Sequence, residues 1–309
     1  MTASLLAHGG PRKPPPRLFQ RVEPYLYTAP SLVLIVALIL VPLALGVSYA
    51  FQDVQLLDPL SGGYVGLDHF RDMAGDKAFR GALANTLWWT AASVVLQFLL
   101  GLVLALLLDK PFRGRGLVQA LVFLPWAVPS FLVGLNWAWL FNPVVGPIPG
   151  WLTALGLMSA PTNILSDPAL AMWGPIAANV WGGIPFFAIT LLAALQSIPR
   201  DLYDAAAIDG ASALQRFWSI TVPFLAPTVV TTVLLRTIWI ANFADLIVVM
   251  TNGGPADHTQ ILSSYIFTVA FKQLDFGYAS AVALVLLALL SLYTLSILML
   301  RRLVLKDHR

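Results

Sequence analysis

Apolar positions in this chain fall in long unbroken blocks, not in the alternation of a half-buried strand or the single stripe of a soluble helix. Six blocks reach the roughly 20 residues that carry a helix across a bilayer. They lie at about 29–50, 83–108, 117–141, 170–195, 226–250 and 277–300. The third contains Pro125 and Pro129, so its helix should kink or unwind where neighbours shield the freed backbone groups. The fourth contains Gly182, Gly183 and Pro185 and is expected to break there. Residues 1–28 read as a disordered basic tail in which Pro14 to Pro16 block a helix, and 301–309 as a charged C-terminal tail. Of the linkers, 53–81 is polar, and Leu67, Phe70, Met73, Phe79 and Leu83 suggest short interfacial helices within it. Residues 109–116 form a tight basic turn, 142–167 a glycine- and proline-rich loop, and 251–275 a glycine-rich polar loop. The pattern specifies an all-α integral membrane protein with six transmembrane helices.

Composition agrees: 58% of the 309 residues are apolar and 11% charged, where soluble domains carry about 25% charge. Cysteine is absent, which excludes disulfides, thiolate metal sites and cysteine nucleophiles. No cleavable signal peptide is expected, because the short run Leu5 to Ala7 leads straight into Gly-Gly-Pro-Arg-Lys-Pro-Pro-Pro. With the N-terminus assigned inside, the inner segments hold 13 of the 18 Lys and Arg: 4 in the tail, 3 in 109–116, 2 in 197–223 and 4 at the end. The outer loops hold 4, and Arg236 lies within a span. This asymmetry places both termini and the 197–223 segment in the cytoplasm. Basic and aromatic residues are not interleaved, so no nucleic-acid surface is expected.

Catalysis is not expected either. His8, His69, His258 and His308 fall in tails or outer loops and read as solvated. The chain lacks H-E-x-x-H, G-x-S-x-G and the phosphate loop G-x-x-x-x-G-K-[ST]. It should therefore bind no metal, cofactor or ATP itself, and energy for active transport must come from another subunit.

The longest polar insert with strong helix signals is SIPRDLYDAAAIDGASALQRFWSITVP, residues 197–223. Pro199, Asp201 and Asp204 suit a helix start. Ala205 to Ala207 favour the helix without bulk, and Gly210 can end it in the left-handed conformation. Ser212 and Gln215 have capping-box spacing for a second helix. A short alanine-faced helix can approach a partner closely, while Asp201, Asp204 and Asp209 offer acceptors to cationic donors.

The fifth block carries the second cluster, LLRTIWIANFADLIVVMTNGGP. Arg236 and Asp245 are nine residues apart, about 900° of rotation, so they face opposite sides of a straight helix and cannot pair. Charge at membrane depth costs up to about 3 kcal/mol on insertion scales, so each needs another span or water. Trp239, Asn242 and Asp245 are expected to share one face. Two readings of that stripe stay open: contact with sugar hydroxyls and ring faces, or interhelical contact between subunits. Gln97, Asn136 and Asn179 are the other polar groups within spans, and each either bonds a neighbouring helix or lines a pore. Trp181, next to the expected break, is a candidate for a cavity wall.

These segments resemble one family. Permease subunits of binding-protein-dependent ABC importers carry a cytoplasmic loop of the form E-A-A-x-x-D-G-A, eight residues, then I-x-L-P. Asp204-Ala205-Ala206, Asp209-Gly210-Ala211, Ile220 and Pro223 match its spacing, with Asp204 in place of glutamate and Val222 in place of leucine. Arg236-Thr237-Ile238-Trp239, Thr251, Gly253-Gly254-Pro255, Tyr64-Val65-Gly66-Leu67, Leu124-Pro125-Trp126 and Trp181 to Phe186 are similar to the carbohydrate (maltose-type and glycerol-phosphate-type) branch. The resemblance implies type I ABC importer permease architecture in a bacterial or archaeal inner membrane. It also implies a second homologous permease subunit, a dimeric cytoplasmic ATPase holding ATP and Mg, an extracytoplasmic solute-binding protein and a sugar substrate. By the same resemblance, Asp204 and Ala205 dock the ATPase and Gly210 holds the turn, with Asp201, Ala206, Asp209 and Ala211 alongside. Eight acidic against four basic residues in the outer loops disfavour a phosphorylated substrate. The alternatives are an ion-coupled secondary carrier and, within the family, an importer of glycerol phosphate or another polar solute.

Overall fold

The computed structural model describes residues 17–58 and 60–306. It divides into two compact units, one reaching to Ser48 and one from Tyr49 onward. In the first unit, α1 (Arg17–Ile35) passes through a π-helical turn, Val36–Leu40, into α2 (Val41–Tyr49). The helix begins at least twelve residues before the apolar block, so residues 17–28 are not an irregular tail. The expectation for Pro14 to Pro16 lies outside the described residues.

The second unit is helical throughout. Its elements are α3 (Asp68–Gly75), α4 (Lys77–Asp109), α5 (Arg115–Phe123), α6 (Ser130–Leu140), α7 (Pro147–Ala154), α8 (Trp173–Gln196) and α9 (Arg200–Ile208). There follow α10 (Ala213–Arg216), α11 (Val222–Asn242), α12 (Asp245–Met250), α13 (Leu262–Phe271) and α14 (Phe276–Lys306). No β-strand occurs among the described residues, only bridges pairing Gln52 with Tyr64 and Gln55 with Asp275. Five described helices are long and apolar enough to cross a membrane, or six if one bent pair counts as a span.

That pair is the third apolar block. Pro125 sits in a 3₁₀ turn, Leu124–Ala127, and the chain re-enters a helix at Ser130 after Pro129. The two arms are bent by 95°, a sharper break than the expected kink. The fourth block corrects the expectation in the other direction. Helix α8 runs unbroken through Gly182, Gly183 and Pro185; Gly183 and Pro185 are buried against neighbouring helices, whereas Gly182 borders open space. A Cβ on Gly101 of α4 would come within 3.1 Å of the Ala188 nitrogen of α8, so the missing side chain permits this crossing.

The fifth block also differs. Its helix starts at Ala213, continues through a π-helical turn (Phe217–Thr221) and stops at Asn242, where extended Phe243 leads to the separate helix α12. Two further helices occupy stretches read as loop. Helix α7 starts on Pro147, which suits a first helical turn. Helix α13 buries Leu262, Tyr265, Val269 and Ala270 but has only ten residues, too few to span. Helix α4 begins at Lys77, so Phe79 belongs to it and not to a surface helix.

Apolar side chains form two clusters. One includes Trp89, Phe187, Leu191, Ile240 and Ile247, where α4, α8, α11 and α12 converge. The other includes Met73, Phe79, Leu262, Val269 and Val282, where α3, α13 and the start of α14 meet the start of α4. His69 is buried here, its Nε2 3.0 Å from the Gln52 carbonyl, which corrects its reading as a solvated residue. His8 and His308 lie outside the described residues.

Asp76 ties the second cluster together. It caps α4 by accepting from the Ala78 N–H at 2.8 Å, and its Oδ2 accepts from the Tyr265 and Tyr278 hydroxyls, both at 2.7 Å. Desolvation by burial raises the Asp76 carboxyl, but these O–H donors and the Ala78 and Phe79 N–H groups outweigh it and leave it below its ordinary value of 3.8. A depressed carboxylate stabilises the fold above its unfolded pKa, and the contribution is lost as pH falls through the folded value. Acid should therefore loosen the joint of α4, α13 and α14 only below pH 3.8. Hydrogen exchange of the α13 amides between pH 6 and 3 reads this directly, and Asp76→Asn should remove the pH dependence of that protection.

Candidate functional site

A cavity of about 270 Å³ opens where the break between α5 and α6 faces α8, α11 and the start of α12. Pro125, Trp126 and Ser130 come from the break, and Asn179 and Gly182 from α8. Arg236, Trp239 and Ile240 come from α11 at the three- and four-residue spacing that puts side chains on one helix face, and Phe243 from the extended residue that follows it. The 95° bend makes room for the cavity, since a straight third helix would close that wall.

Arg236 is 7% exposed and stands in this wall. Its Nε donates to Gln97 Oε1 at 2.7 Å, and its guanidinium carbon lies 5.7 Å from the Phe186 ring centroid and 5.4 Å from that of Trp239. Such stacking suits the weakly hydrated, planar guanidinium. No carboxylate pairs with it: the only ion pair among the described residues joins Arg71 to Asp68. Gln97 in turn donates from Nε2 to the Asn179 carbonyl at 2.9 Å. The Asn179 side chain is buried, and its Nδ2 has no hydrogen-bond partner. The Trp89 indole N–H donates to the Ile240 carbonyl at 3.1 Å, a further tie between α4 and α11.

The residues singled out in the sequence divide around this cavity. Asn179, Arg236 and Trp239 line it, whereas Trp181 does not. Two residues beyond Asn179, Trp181 points to another side of α8 and stacks against Trp137 at 6.2 Å. Its expected role rested on a broken helix, and α8 is continuous. Asn242 also lies off the wall. It bonds its own helix, Nδ2 to the Ile238 carbonyl at 2.9 Å, and faces an open groove with Ser263 and Leu286. Asp245 starts α12 beyond the break, so it shares no helix face with Asn242 or Trp239. Its Oδ2 accepts from Ser130 Oγ at 2.9 Å, linking the starts of α6 and α12. Asn136 is exposed. Pro125, Trp126, Ser130 and Phe243 were absent from the candidate set. The Pro125 and Pro129 pair pointed to the break that holds Pro125, Trp126 and Ser130, because proline-broken helices tend to line cavities.

The 197–223 segment has the expected form. Helix α9 follows Pro199, and Gly210 takes φ +80°, the left-handed region open to glycine. The Gly210 N–H bonds the Ala207 carbonyl (3.1 Å) and the Ala211 N–H that of Ala206 (2.9 Å), the paired bonds of a Schellman cap. The capping box is present: Gln215 N–H to Ser212 Oγ at 3.3 Å and Ser212 N–H to Gln215 Oε1 at 2.7 Å. The Tyr203 hydroxyl meets Thr221 Oγ1 at 2.9 Å, fastening α9 to the foot of the fifth block's helix. Asp201, Asp204, Ala205, Asp209 and Gly210 are exposed, Ala206 and Ala211 half-buried. Ile208 is 88% exposed, an apolar side chain left open at the helix end.

Residues 97–306 match the family described as binding-protein-dependent transport system inner membrane component. The chain belongs to this family. The permease is 34% identical to the trehalose/maltose transport system permease protein MalF of Thermococcus litoralis, over 88% of this chain and 90% of that one. It is 34% identical to the sulfoquinovosyl glycerol transport system permease protein SmoG of Agrobacterium fabrum, covering 88% of each. The sn-glycerol-3-phosphate transport system permease protein UgpA of the same organism is 31% identical, over 87% of this chain and 91% of that one. Its fold matches a chain from a bacterial ABC transporter that imports the acidic polysaccharide alginate, with TM-score 0.80 and 23% identity over 93% and 99% of the two chains. The protein is thus an ABC importer permease subunit, an integral inner-membrane component with several apolar helices, and the ion-coupled carrier reading is set aside. Among the described residues no group of three or more His, Cys, Asp or Glu could hold a metal ion.

Proposed function

We propose that this permease moves a sugar or oligosaccharide from an extracytoplasmic binding protein into the cytoplasm by alternating access. A second homologous permease subunit completes the pathway, and a dimeric cytoplasmic ATPase holding ATP and Mg drives it. The cavity carries this reading. Trp126, Trp239 and Phe243 offer flat apolar faces to sugar rings, while Ser130, Asn179 and Arg236 offer hydrogen bonds to hydroxyls. The transport roles of the trehalose/maltose and sulfoquinovosyl glycerol relatives point the same way.

On this reading both termini and α9 lie in the cytoplasm, as the placement of Lys and Arg supports. There Asp201, Asp204 and Asp209 accept from ATPase donors, Ala205, Ala206 and Ala211 allow close approach, and Gly210 sets the turn. The exposed Ile208 is covered in the assembled complex. Glycerol phosphate is the second reading, favoured by Arg236 in the cavity wall and by the glycerol-phosphate relative.

Reconstitution in liposomes with partner permease, ATPase and binding protein tests the proposal. Uptake of labelled trehalose or maltose should require both ATP and the binding protein. Uptake of sn-glycerol 3-phosphate alone would select the second reading, and uptake driven by an ion gradient without the ATPase would refute both.

A further inference from the structure

The buried Gln97 performs a task that neither neighbour can perform for itself. It is 0% exposed, and both ends of its carboxamide are engaged. The chemistry of its partners fixes which end is which. A guanidinium N–H can only donate, so the oxygen must face Arg236; the Asn179 carbonyl can only accept, so the nitrogen must face it. One side chain of this length must therefore present an acceptor to α11 and a donor to α8 from a single position on α4. Gly183 completes the arrangement, since a Cβ there would collide with the Gln97 carboxamide and the Arg236 Nη2.

We propose that Gln97 is a positioning residue for solute passage. By taking the Nε–H of Arg236 it turns the guanidinium so that its Nη groups form a donor patch in the cavity wall. That patch binds the acceptor-rich face of the solute, its hydroxyl or acidic oxygens. Without Gln97 the guanidinium keeps its aromatic neighbours, Phe186 and Trp239, but loses the one bond that sets its rotation about them. A flexible cation on a long stem then has to be ordered anew by each solute molecule.

The inference rests on the cavity being the solute path, and a double-substitution cycle separates the two claims. The complete importer in liposomes is offered labelled trehalose, maltose and sn-glycerol 3-phosphate together, and uptake per ATP hydrolysed is measured. Gln97→Leu should lower that ratio at least tenfold. Gln97→Glu, which still accepts from Arg236, should stay within threefold of the unaltered protein. Arg236→Met should lower it at least tenfold, and adding Gln97→Leu to Arg236→Met should lower it no further. The paired variant is apolar on both sides, so its comparison with Arg236→Met tests the proposal even where Gln97→Leu alone fails to assemble. Multiplying losses in the paired variant would overturn the proposal, as would equal losses for Gln97→Glu and Gln97→Leu, which would assign the role to the Asn179 carbonyl. Unchanged coupling in Arg236→Met would instead remove the cavity from the solute path, and the positioning role with it.

Discussion

Gly210→Pro is expected to abolish ATP-driven uptake while leaving the apolar helices inserted. Position 210 requires φ +80°, and proline is fixed near −65°. The substitution also removes the N–H that bonds the Ala207 carbonyl at 3.1 Å. Unfavourable backbone of this kind costs about 1–3 kcal/mol, and each 1.4 kcal/mol is about tenfold in an equilibrium. Relieving it means re-aiming α9 relative to the helix that begins at Ala213. Co-purification of the ATPase should fall by about 10- to 100-fold, with the permease recovered from the membrane fraction in normal amount. Gly210→Ala, which can enter the left-handed region at a cost of about 1–2 kcal/mol, should give an intermediate loss. Normal ATPase recovery with Gly210→Pro would show that the cap only ends a helix and that docking occurs elsewhere.

Arg236→Met is expected to separate stability from transport. Arg236 is buried without a carboxylate partner, and replacing a buried charge by an apolar side chain of similar length is often neutral or stabilising. Against that, Gln97 Oε1 loses its donor, which costs about 1–3 kcal/mol. The two effects oppose each other, so thermal unfolding of the assembled complex should shift by no more than about 1–2 kcal/mol. Uptake should fall at least about tenfold, since one lost charge-assisted hydrogen bond is worth about 1.5–3 kcal/mol. A variant with unaltered uptake would make Arg236 a packing residue. A variant that fails to assemble would make it structural.

Block length and charge asymmetry made the membrane class legible, and local helix signals made the 197–223 segment legible down to its cap and capping box. Both depend on short-range chemistry: the φ open to glycine at 210, and the three-residue reach from Ser212 to Gln215. The failures arose where tertiary packing overrides local preference. Gly182, Gly183 and Pro185 read as a break, yet Gly183 is small because Gln97 and Arg236 occupy the adjacent space. The run from Arg236 to Met250 carries no proline or glycine, so nothing in it announced the extended residue at Phe243 that separates Asp245 from Asn242. Helix α13 was hidden because a ten-residue helix buried against α14 and α4 has no span-length block and few local stop signals.

The cavity was legible only in pieces. Arg236 and Trp239 were visible as a polar and aromatic cluster at membrane depth, and Asn179 as one polar residue among several. Their convergence depends on contacts between positions 82 and 139 residues apart, such as Gln97 with Asn179 and Arg236. Single-helix periodicity cannot report such distances. It did predict an irregular third span, and that irregularity is what opens the wall at Trp126 and Ser130.

The central claim is that solute passes between Trp126, Asn179 and Trp239. An experimental structure of the complete importer, halted in mid-cycle with a transported sugar bound, measures this most directly. The account predicts sugar density in that cavity, with a ring against Trp126 or Trp239 and an oxygen within hydrogen-bond reach of an Arg236 Nη. Density for the sugar along another helix face, with this cavity closed by its own side chains, would contradict it.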